Sequence, residues 1–263
     1  MYELKRLYKE NVPDLEELWK AVYPEREMPL EYWMWLFRCP LPYISCGLYE
    51  RDKLIAHYAA IVSFIHGHTY SSMSHPEYRH QGLYQDVANF LYTELETKYN
   101  CQYATFFSNK PIHKTHQKMG ALDVYQVKEY RVPIKDIKMH QGLGFFPKEY
   151  KKGSYDEWRY KNHPLKIYMY YQSKFNYLIL STHENRIQMV GYSDLEKTIG
   201  LAAFIGYLLE KDTVSFWDRK ELEYPSIMLD EWLMVKLFNL EHEKRIVNII
   251  KNQPLWMGLH DSY

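Results

Sequence analysis

Residues 74–84 of this chain read Ser74-His75-Pro76-Glu77-Tyr78-Arg79-His80-Gln81-Gly82-Leu83-Tyr84, and they are the most informative segment for the fold. Residues 68–74, which lead into it, have the composition of a strand. After it, apolar residues recur at the spacing of one helix face, at Leu83, Val87, Phe90, Leu91 and Leu95. The sequence therefore predicts that a strand meets a helix across a loop that contains Gly82.

This loop has the chemistry of an anion site. The first backbone N–H groups of a helix have no carbonyl partner within the helix, and the helix dipole adds positive potential there. Such an end binds phosphate or pyrophosphate, and Gly82 lets the anion approach the main chain closely. The Arg79-x-x-Gly82 pattern alone fits equally well a tight strand-to-helix turn with an exposed arginine, so the flanking residues must decide.

The elements around the loop belong to one mixed α/β domain. Before it, the patterns predict a strand at residues 4–8, helices near residues 13–22 and 30–37, and a hairpin of residues 44–50 and 54–65. After it, they predict a strand at residues 103–108, a short helix at residues 111–119 and a strand at residues 122–132. The first domain is therefore predicted to span residues 1–133.

The second half of the chain restarts the pattern after a connecting region at residues 134–164. Strands are predicted at residues 167–171, 177–181, 187–192 and 214–217, with a helix between the last two. That helix follows Ser193-Asp194-Leu195-Glu196, which has the form of a capping box. A closing helix is predicted from about Glu231. Residues 134–263 therefore read as a second, smaller α/β domain.

Composition excludes several classes of function. The chain has 263 residues, with 33 basic and 33 acidic side chains, so it does not bind nucleic acid through bulk charge. Its longest apolar run, residues 200–209, is about half of the roughly 20 residues that a membrane span needs. The N-terminus has no apolar signal segment. We therefore expect a cytoplasmic protein without a membrane or nucleic-acid partner, and the oligomeric state stays open.

No metal site is predicted. Cys39, Cys46 and Cys101 are odd in number and form no C-x-x-C pair, which is typical of reduced thiols. His66 and His68 share one face of a predicted strand, but no carboxylate neighbour completes a metal-binding set.

In two of its segments the chain resembles the GCN5-related N-acetyltransferase (GNAT) family. The family's first motif pairs a strand with a phosphate-binding loop and helix, and Pro76, Arg79 and Gly82 match it in register. The second motif matches a later segment at Asn109, Ile112, His116, Gly120 and Ala121. The resemblance covers about residues 1–132. It implies a mostly antiparallel sheet flanked by helices, with a second, smaller GNAT-like domain after it.

The resemblance implies acyl-coenzyme A (acyl-CoA) as co-substrate. Its pyrophosphate is expected on the amides of Gln81, Gly82, Leu83 and Tyr84, and Arg79 keeps the family's register. Its pantetheine arm is expected beside a splayed strand near Ser72 and Ser74, with Asn109 as a hydrogen-bond partner or as the cap of the next helix. The residues implied for donor binding are Ser72, Ser74, Arg79, Gln81, Gly82, Leu83, Tyr84 and Asn109.

Two histidines are the candidate catalytic residues. His116 takes the place of the tyrosine that in the family often protonates the leaving thiolate, and imidazole titrates near working pH. His75 directly precedes the loop and is the candidate general base, although water can also take up the amine proton. Tyr84 stands where the family has a small residue, which could narrow the phosphate site. A surface role for His116 and a packing role for His75 are the alternatives.

The acceptor is predicted from layout alone. A GNAT domain followed by a smaller α/β domain is similar to bacterial N-acyltransferases that act on nucleotide-linked amino sugars of surface glycans, including the anthrose type. Such an acceptor would stack on aromatic rings and meet basic side chains, for which the candidates are Trp33, Trp35, Tyr155, Trp158, Trp217, Arg159, Lys161 and Lys166. Two alternatives remain: an aminoacyl-tRNA-dependent transferase acting on a peptide or peptidoglycan-precursor amine, and a non-catalytic acyl-CoA-binding protein.

Overall fold

The structure is a computed structural model that describes residues 1–27, 30–142, 144–218, 222–238 and 243–252. The strands are β1 (Tyr2–Leu7), β2 (Tyr43–Glu50), β3 (Lys53–Ser63), β4 (His66–Ser74), β5 (Tyr103–Asn109), β6 (Ala121–Pro133), β7 (Phe146–Pro147), β8 (Tyr168–Gln172), β9 (Tyr177–His183), β10 (Arg186–Tyr192), β11 (Thr213–Asp218) and β12 (Ser226–Leu237). The helices are α1 (Val12–Val22), α2 (Leu30–Leu36), α3 (Leu83–Tyr99), α4 (Lys110–Lys118), α5 (Leu195–Leu208) and α6 (Glu243–Asn252).

The chain divides into two compact units. The first unit comprises Met1–Val124 and Leu233–Asn248, and the second comprises Tyr125–Trp232 together with residues 249–252 of the described chain. The sequence predicted a single boundary after residue 133. The structure instead divides the chain after Val124 and returns a later segment to the first unit.

The first unit contains a sheet with strand order β1-β2-β3-β4-β5. Strands β1 to β4 pair antiparallel, and β4 pairs with β5 in parallel. Helices α1 and α3 pack on this sheet, and β3 is buried along nearly its whole length. Helix α3 begins and ends where the period-of-four pattern predicted, because Leu83, Val87, Leu91 and Leu95 all face the core.

Within the second unit the strand order is β6-β11-β10-β9-β8-β7. The pairing is antiparallel except between β10 and β11, which helix α5 connects. Helix α5 packs on β9, β10 and β11 through an apolar cluster that includes Tyr130, Ile187, Ile199, Ala202 and Phe216. The prediction of mixed α/β units with mostly antiparallel sheets flanked by helices is confirmed.

Two local predictions for the second half were wrong. The helix expected from about Glu231 is the strand β12, which ends at Leu237 and is followed by α6. Sheet pairing, a contact between distant segments, overrides the local pattern there. The cap of α5 is Asp194, whose carboxylate accepts from Lys197 N at 3.2 Å, whereas the Ser193 hydroxyl donates to Asn176.

No helix in the described part of the chain is long and apolar enough to cross a membrane. Among the same residues, no group of three or more His, Cys, Asp or Glu side chains is placed to hold a metal ion. Burial raises the pKa of the Cys46 thiol to about 12 and that of Cys101 to about 11, so both stay protonated at neutral pH.

Candidate functional site

Strands β4 and β5 separate before either of them ends. Their parallel ladder pairs His66 with Tyr103, Gly67 with Ala104 and His68 with Thr105, and it stops there within the described strands. Strand β4 continues to Ser74 and β5 continues to Asn109. The result is a wedge between neighbouring parallel strands, beyond His68 on β4 and Thr105 on β5.

A bulge in β4 lies at this wedge. The register between β3 and β4 shifts between His57 and Ala59, and Ser71 has a positive φ of 55°. The His57 Nδ1–H donates to the Ser71 carbonyl at 2.7 Å, so His57 Nε2 accepts from the Ser45 hydroxyl at 2.9 Å. Burial lowers the pKa of His57 to about 4, which keeps the ring neutral. A buried, neutral histidine therefore holds the bulge in place.

The loop after β4 ends at an open helix start. Gly82 precedes α3 with a φ of 80°, a left-handed conformation that favours glycine. Its carbonyl accepts from Gln85 N at 2.8 Å, which closes the first turn. A Cβ placed on Gly82 would meet no atom within 4 Å. Space is therefore open beside the first amides of α3, where an anion would bind.

The other predicted loop residues surround this helix start. Arg79 is exposed, and its Nε donates to the Ser74 carbonyl at 3.3 Å. Gln81 is exposed as well, and its side-chain amide donates to the Glu77 carbonyl at 3.3 Å. The structure thus brings Ser74, Arg79, Gln81 and Gly82 together at one end of the wedge.

His75 has a local structural role. Its Nδ1 accepts from Glu77 N at 3.4 Å and lies 3.9 Å from the Glu77 carboxylate. Burial and the charge of Lys53 lower the pKa of His75, and the Glu77 carboxylate opposes them. In this neutral tautomer the proton is on Nε2, because Nδ1 is an acceptor.

A chain of hydrogen bonds crosses the wedge from β4 to β5. The Tyr84 hydroxyl lies 2.9 Å from His116 Nε2, and His116 Nδ1 lies 2.8 Å from the Ser108 hydroxyl. Ser72 on β4 and Tyr58 on β3 are close neighbours of the Tyr84 hydroxyl. We call Ser72, Tyr84, His116 and Ser108 the wedge bridge, since they connect β4, α3, α4 and β5.

Burial sets the protonation of the wedge bridge. His116 is buried, and burial, with a smaller effect of His113, lowers its pKa to about 4. Burial also raises the pKa of Tyr84 well above its ordinary value, and the neighbouring Tyr58 adds to this. At neutral pH the bridge therefore contains a neutral imidazole and a protonated phenol.

Asn109 lies at the open end of the wedge. It is the last residue of β5 and the residue before α4, and its side chain is exposed. It caps α4 by position only, because its carboxamide makes no capping hydrogen bond in the described chain. The exposed carboxamide is therefore not used to cap α4.

The candidate acceptor residues do not form one group. Five of them are buried: Trp33, Trp35, Trp158, Arg159 and Trp217. Tyr155 is half-buried and Lys161 is exposed. Lys166 and Trp217 line a cavity of about 400 Å³ in the second unit.

Sequence reasoning missed Tyr58 and Ser108. Each lies in a largely buried strand. A hydroxyl fully buried in such a strand needs a partner, and that requirement was the available signal.

No model of a known protein family matches the chain, and no curated protein matches its sequence. Solved structures do match. A probable N-acyltransferase of Enterococcus faecalis is 14% identical, with a TM-score of 0.65, over 90% of this chain and 73% of that one. A GCN5-related N-acetyltransferase of Anabaena variabilis is 13% identical, with a TM-score of 0.67, over 91% and 74%. A tandem GNAT protein from the clavulanic acid biosynthesis pathway is 11% identical, with a TM-score of 0.61, over 90% and 98%. At these identities the likeness shows the fold, which is that of the GCN5-related N-acetyltransferases.

Proposed function

We propose that this chain is an N-acyltransferase that moves an acyl group from acyl-CoA to an amine. The observation that carries the proposal is the β4–β5 wedge, with the open start of α3 at its end. A linear pantetheine arm with a diphosphate needs two such features side by side: exposed backbone groups in an extended slot and an amide-lined anion site.

The proposed donor contacts follow from this geometry. The pyrophosphate binds the amides of residues 81–84, and the exposed Arg79 guanidinium adds a charged donor. The pantetheine lies along Ser72 and Ser74, with the Asn109 carboxamide as a hydrogen-bond partner. The thioester then lies near the wedge bridge.

The proposed reaction is attack by a neutral amine on the thioester carbonyl. A nitrogen–carbon bond forms, and backbone N–H groups at the wedge stabilise the developing oxyanion. The carbon–sulfur bond then breaks. The nitrogen loses one proton and the thiolate gains one, so the products are an amide and the thiol form of coenzyme A.

The wedge bridge supplies the thiolate proton in this proposal. His116 is the predicted acid, but Tyr84 occupies its Nε2, so the group that faces the thiolate is the Tyr84 hydroxyl. In the tautomer with the proton on Nε2, His116 donates to the phenolate that Tyr84 becomes, and the Ser108 hydroxyl donates to Nδ1. Water, which takes up the amine proton, returns one proton to Tyr84. His116 thus acts through Tyr84.

The amine proton has no assigned acceptor among the side chains. His75 was the predicted base, but its Nδ1 lone pair accepts from Glu77 N, and its Nε2 carries the proton. His75 can act as a base only if that bond opens. We propose that water takes up the amine proton.

The finer proposal is that the amine belongs to a nucleotide-linked amino sugar. Its support is the two-unit layout, a GNAT segment followed by a smaller α/β unit. The aminoacyl-tRNA alternative differs from it in the donor that transfer requires. The non-catalytic alternative differs in that acetyl-CoA binds without turnover.

The test is release of the thiol form of coenzyme A from acetyl-CoA with a panel of amines: nucleotide-linked amino sugars, free amino sugars, a peptide N-terminus and a peptidoglycan-precursor peptide. Turnover with a nucleotide-linked sugar supports the full proposal, and turnover with another amine corrects the acceptor. Tight acetyl-CoA binding without turnover indicates a non-catalytic protein. Transfer that needs aminoacyl-tRNA, or no binding of acetyl-CoA, would overturn the donor.

A further inference from the structure

The sheet of the second unit has one apolar face and one polar face. Side chains of directly paired residues point to the same face of a sheet. Tyr130 pairs with Phe216 and Val132 pairs with Val214, and these face the apolar cluster around α5. Their neighbours point the other way.

The polar face is a continuous patch across four strands. Arg131 pairs with Ser215, Ser215 pairs with Gln188, and Gln188 pairs with Ser181. Ser215 and Ser181 are buried, as is Glu129 on the same face of β6. Burial of a polar sheet face has a cost in free energy unless partners satisfy it. This face lines the cavity of about 400 Å³, which is partly open to solvent and has a size typical of small-molecule sites.

Two arginines at the cavity share one carboxylate. Arg131 donates from Nε at 2.9 Å and from Nη2 at 2.6 Å to one oxygen of Glu129. Arg186 donates from Nη1 at 3.1 Å to the other oxygen. Each guanidinium has five N–H groups, so both retain donors beyond these bonds. Among the charged groups that line the cavity, three cations, Arg131, Arg186 and Lys166, exceed the two carboxylates, Glu129 and Glu231, by one charge.

The geometry points to a binding site, in the cavity of the second unit, for a small hydroxylated metabolite that carries a phosphate or carboxylate group. Arg131, Arg186 and Lys166 present cationic donors to the anionic group, and such charge-assisted contacts are strong. Gln188, Tyr168 and Glu231 line the same cavity and match hydroxyl groups on the rest of the molecule. All of these residues belong to the second unit.

This inference does not rest on the proposed acyl transfer. The cavity is defined by the residues of the second unit alone, and the donor site is defined by residues of the first. Loss of one activity therefore leaves the other testable.

The test is calorimetric titration of the full chain with three probes that share one hydroxylated body. Glucose 6-phosphate carries a phosphate, gluconate carries a carboxylate and glucose carries neither. We expect saturable binding of at least one anionic probe, with glucose at least about tenfold weaker, since a charge-assisted hydrogen bond contributes about one to two factors of ten. The stronger of the two anionic probes identifies the ligand's anionic group.

Two variants check the location. Arg186→Gln should weaken the anionic probe about tenfold, and it leaves Glu129 paired with Arg131. Gln188→Phe fills the cavity without a change in charge and should abolish binding. Lys152→Gln removes an exposed cation that does not line the cavity and should change nothing.

Absence of saturable binding of both anionic probes to the folded wild-type chain would overturn the site. Equal binding by wild type, Arg186→Gln and Gln188→Phe would overturn it too. If one variant fails to fold, the other decides, because the first acts through charge and the second through volume.

Discussion

Within the described residues, each unit contains a crossover in which a helix connects two parallel strands. The two crossovers differ in how the helix starts and in which side chains lie at the strand ends. In the first unit, α3 connects β4 to β5. In the second, α5 connects β10 to β11. The same supersecondary element therefore occurs with two different helix starts and two different strand ends.

The helix starts differ in what caps them. Helix α3 follows Gly82, which has no side chain, and the space beside it is open. Helix α5 follows Asp194, whose carboxylate bonds Lys197 N. In the second unit the protein's own anion occupies the position that a phosphate would take.

The strand ends differ only in which side chains cross them, because the β10–β11 ladder also stops before its strands end, at Met189 and Phe216. β4 and β5 separate at a wedge that the Tyr84 and His116 side chains cross. At the end of β10, the Tyr192 hydroxyl contacts the Trp217 carbonyl and the Asp218 carboxylate of β11, each at 2.9 Å. The difference between the two crossovers therefore lies at the helix start, because only α3 has open space in place of a side-chain cap.

Acidification should produce the largest difference in stability between the two units. Burial lowers the pKa of His57 and His116 to about 4 and that of His66 to about 3, from 6.5. The unfolded chain binds these protons first, so the first unit loses stability as the pH falls from about 6.5 towards 4. In the second unit, burial and Glu129 raise the pKa of Glu231, which acts in the opposite direction.

Hydrogen exchange, corrected for the intrinsic effect of pH, measures this difference. Amides of the first unit should lose several kcal/mol of protection across that range, ahead of those of the second. His116→Gln should make the pH dependence shallower. Earlier opening of the second unit would contradict the assignment of neutral histidines.

Gly82→Trp should abolish coenzyme A binding, because the indole occupies the space beside the first amides of α3. We expect a loss of affinity of about a hundredfold or more. Gly153→Trp is the matched control. Gly153 has a φ of 73° and equally open space, but it lies in a turn of the second unit.

Titration calorimetry with coenzyme A distinguishes the two variants. Both introduce a side chain at a left-handed residue and should lose about 1 to 2 kcal/mol of stability. A folded Gly82→Trp chain with unchanged affinity would place the site elsewhere.

Tyr84→Phe should lower the rate of thiol release about a hundredfold, because the leaving thiolate loses its proton donor. The KM for acetyl-CoA should change little. Tyr192→Phe removes the corresponding hydroxyl of the second crossover and should cost about 1 kcal/mol of stability with no change in rate. Equal rates for Tyr84→Phe and wild type would remove Tyr84 from the mechanism.

Asp194→Ala should have the smallest effect. Loss of a helix cap costs about 1 kcal/mol of folding free energy, measured by denaturant unfolding. Coenzyme A affinity should stay unchanged, since this helix start belongs to the closed crossover. A drop in affinity would contradict the proposal that coenzyme A binds at the start of α3 and not at the start of α5.

The sequence predicted the first crossover well because its signals are local. A change of period marks the start of α3, and Gly82 marks the loop. The strand β12 was not predictable in this way, and a helix was expected from about Glu231 instead. A strand depends on pairing with partners far away in the chain.

The side-chain contacts of the candidate site were likewise not predictable from local sequence patterns. Tyr84 and His116 were singled out separately, and only the fold brings their side chains within 2.9 Å. The partnership of His57 with Ser71 likewise depends on the register of β3 against β4. Residue types indicated the chemistry, but pairing of distant segments decided which groups meet.

The most direct test of the account is a crystal structure of the full chain with acetyl-CoA. We predict pyrophosphate oxygens within hydrogen-bond distance of the backbone nitrogens of Leu83 and Tyr84, the pantetheine between β4 and β5, and the sulfur beside the Tyr84 hydroxyl. A nucleotide bound elsewhere, with the wedge still filled by Tyr84, would contradict it.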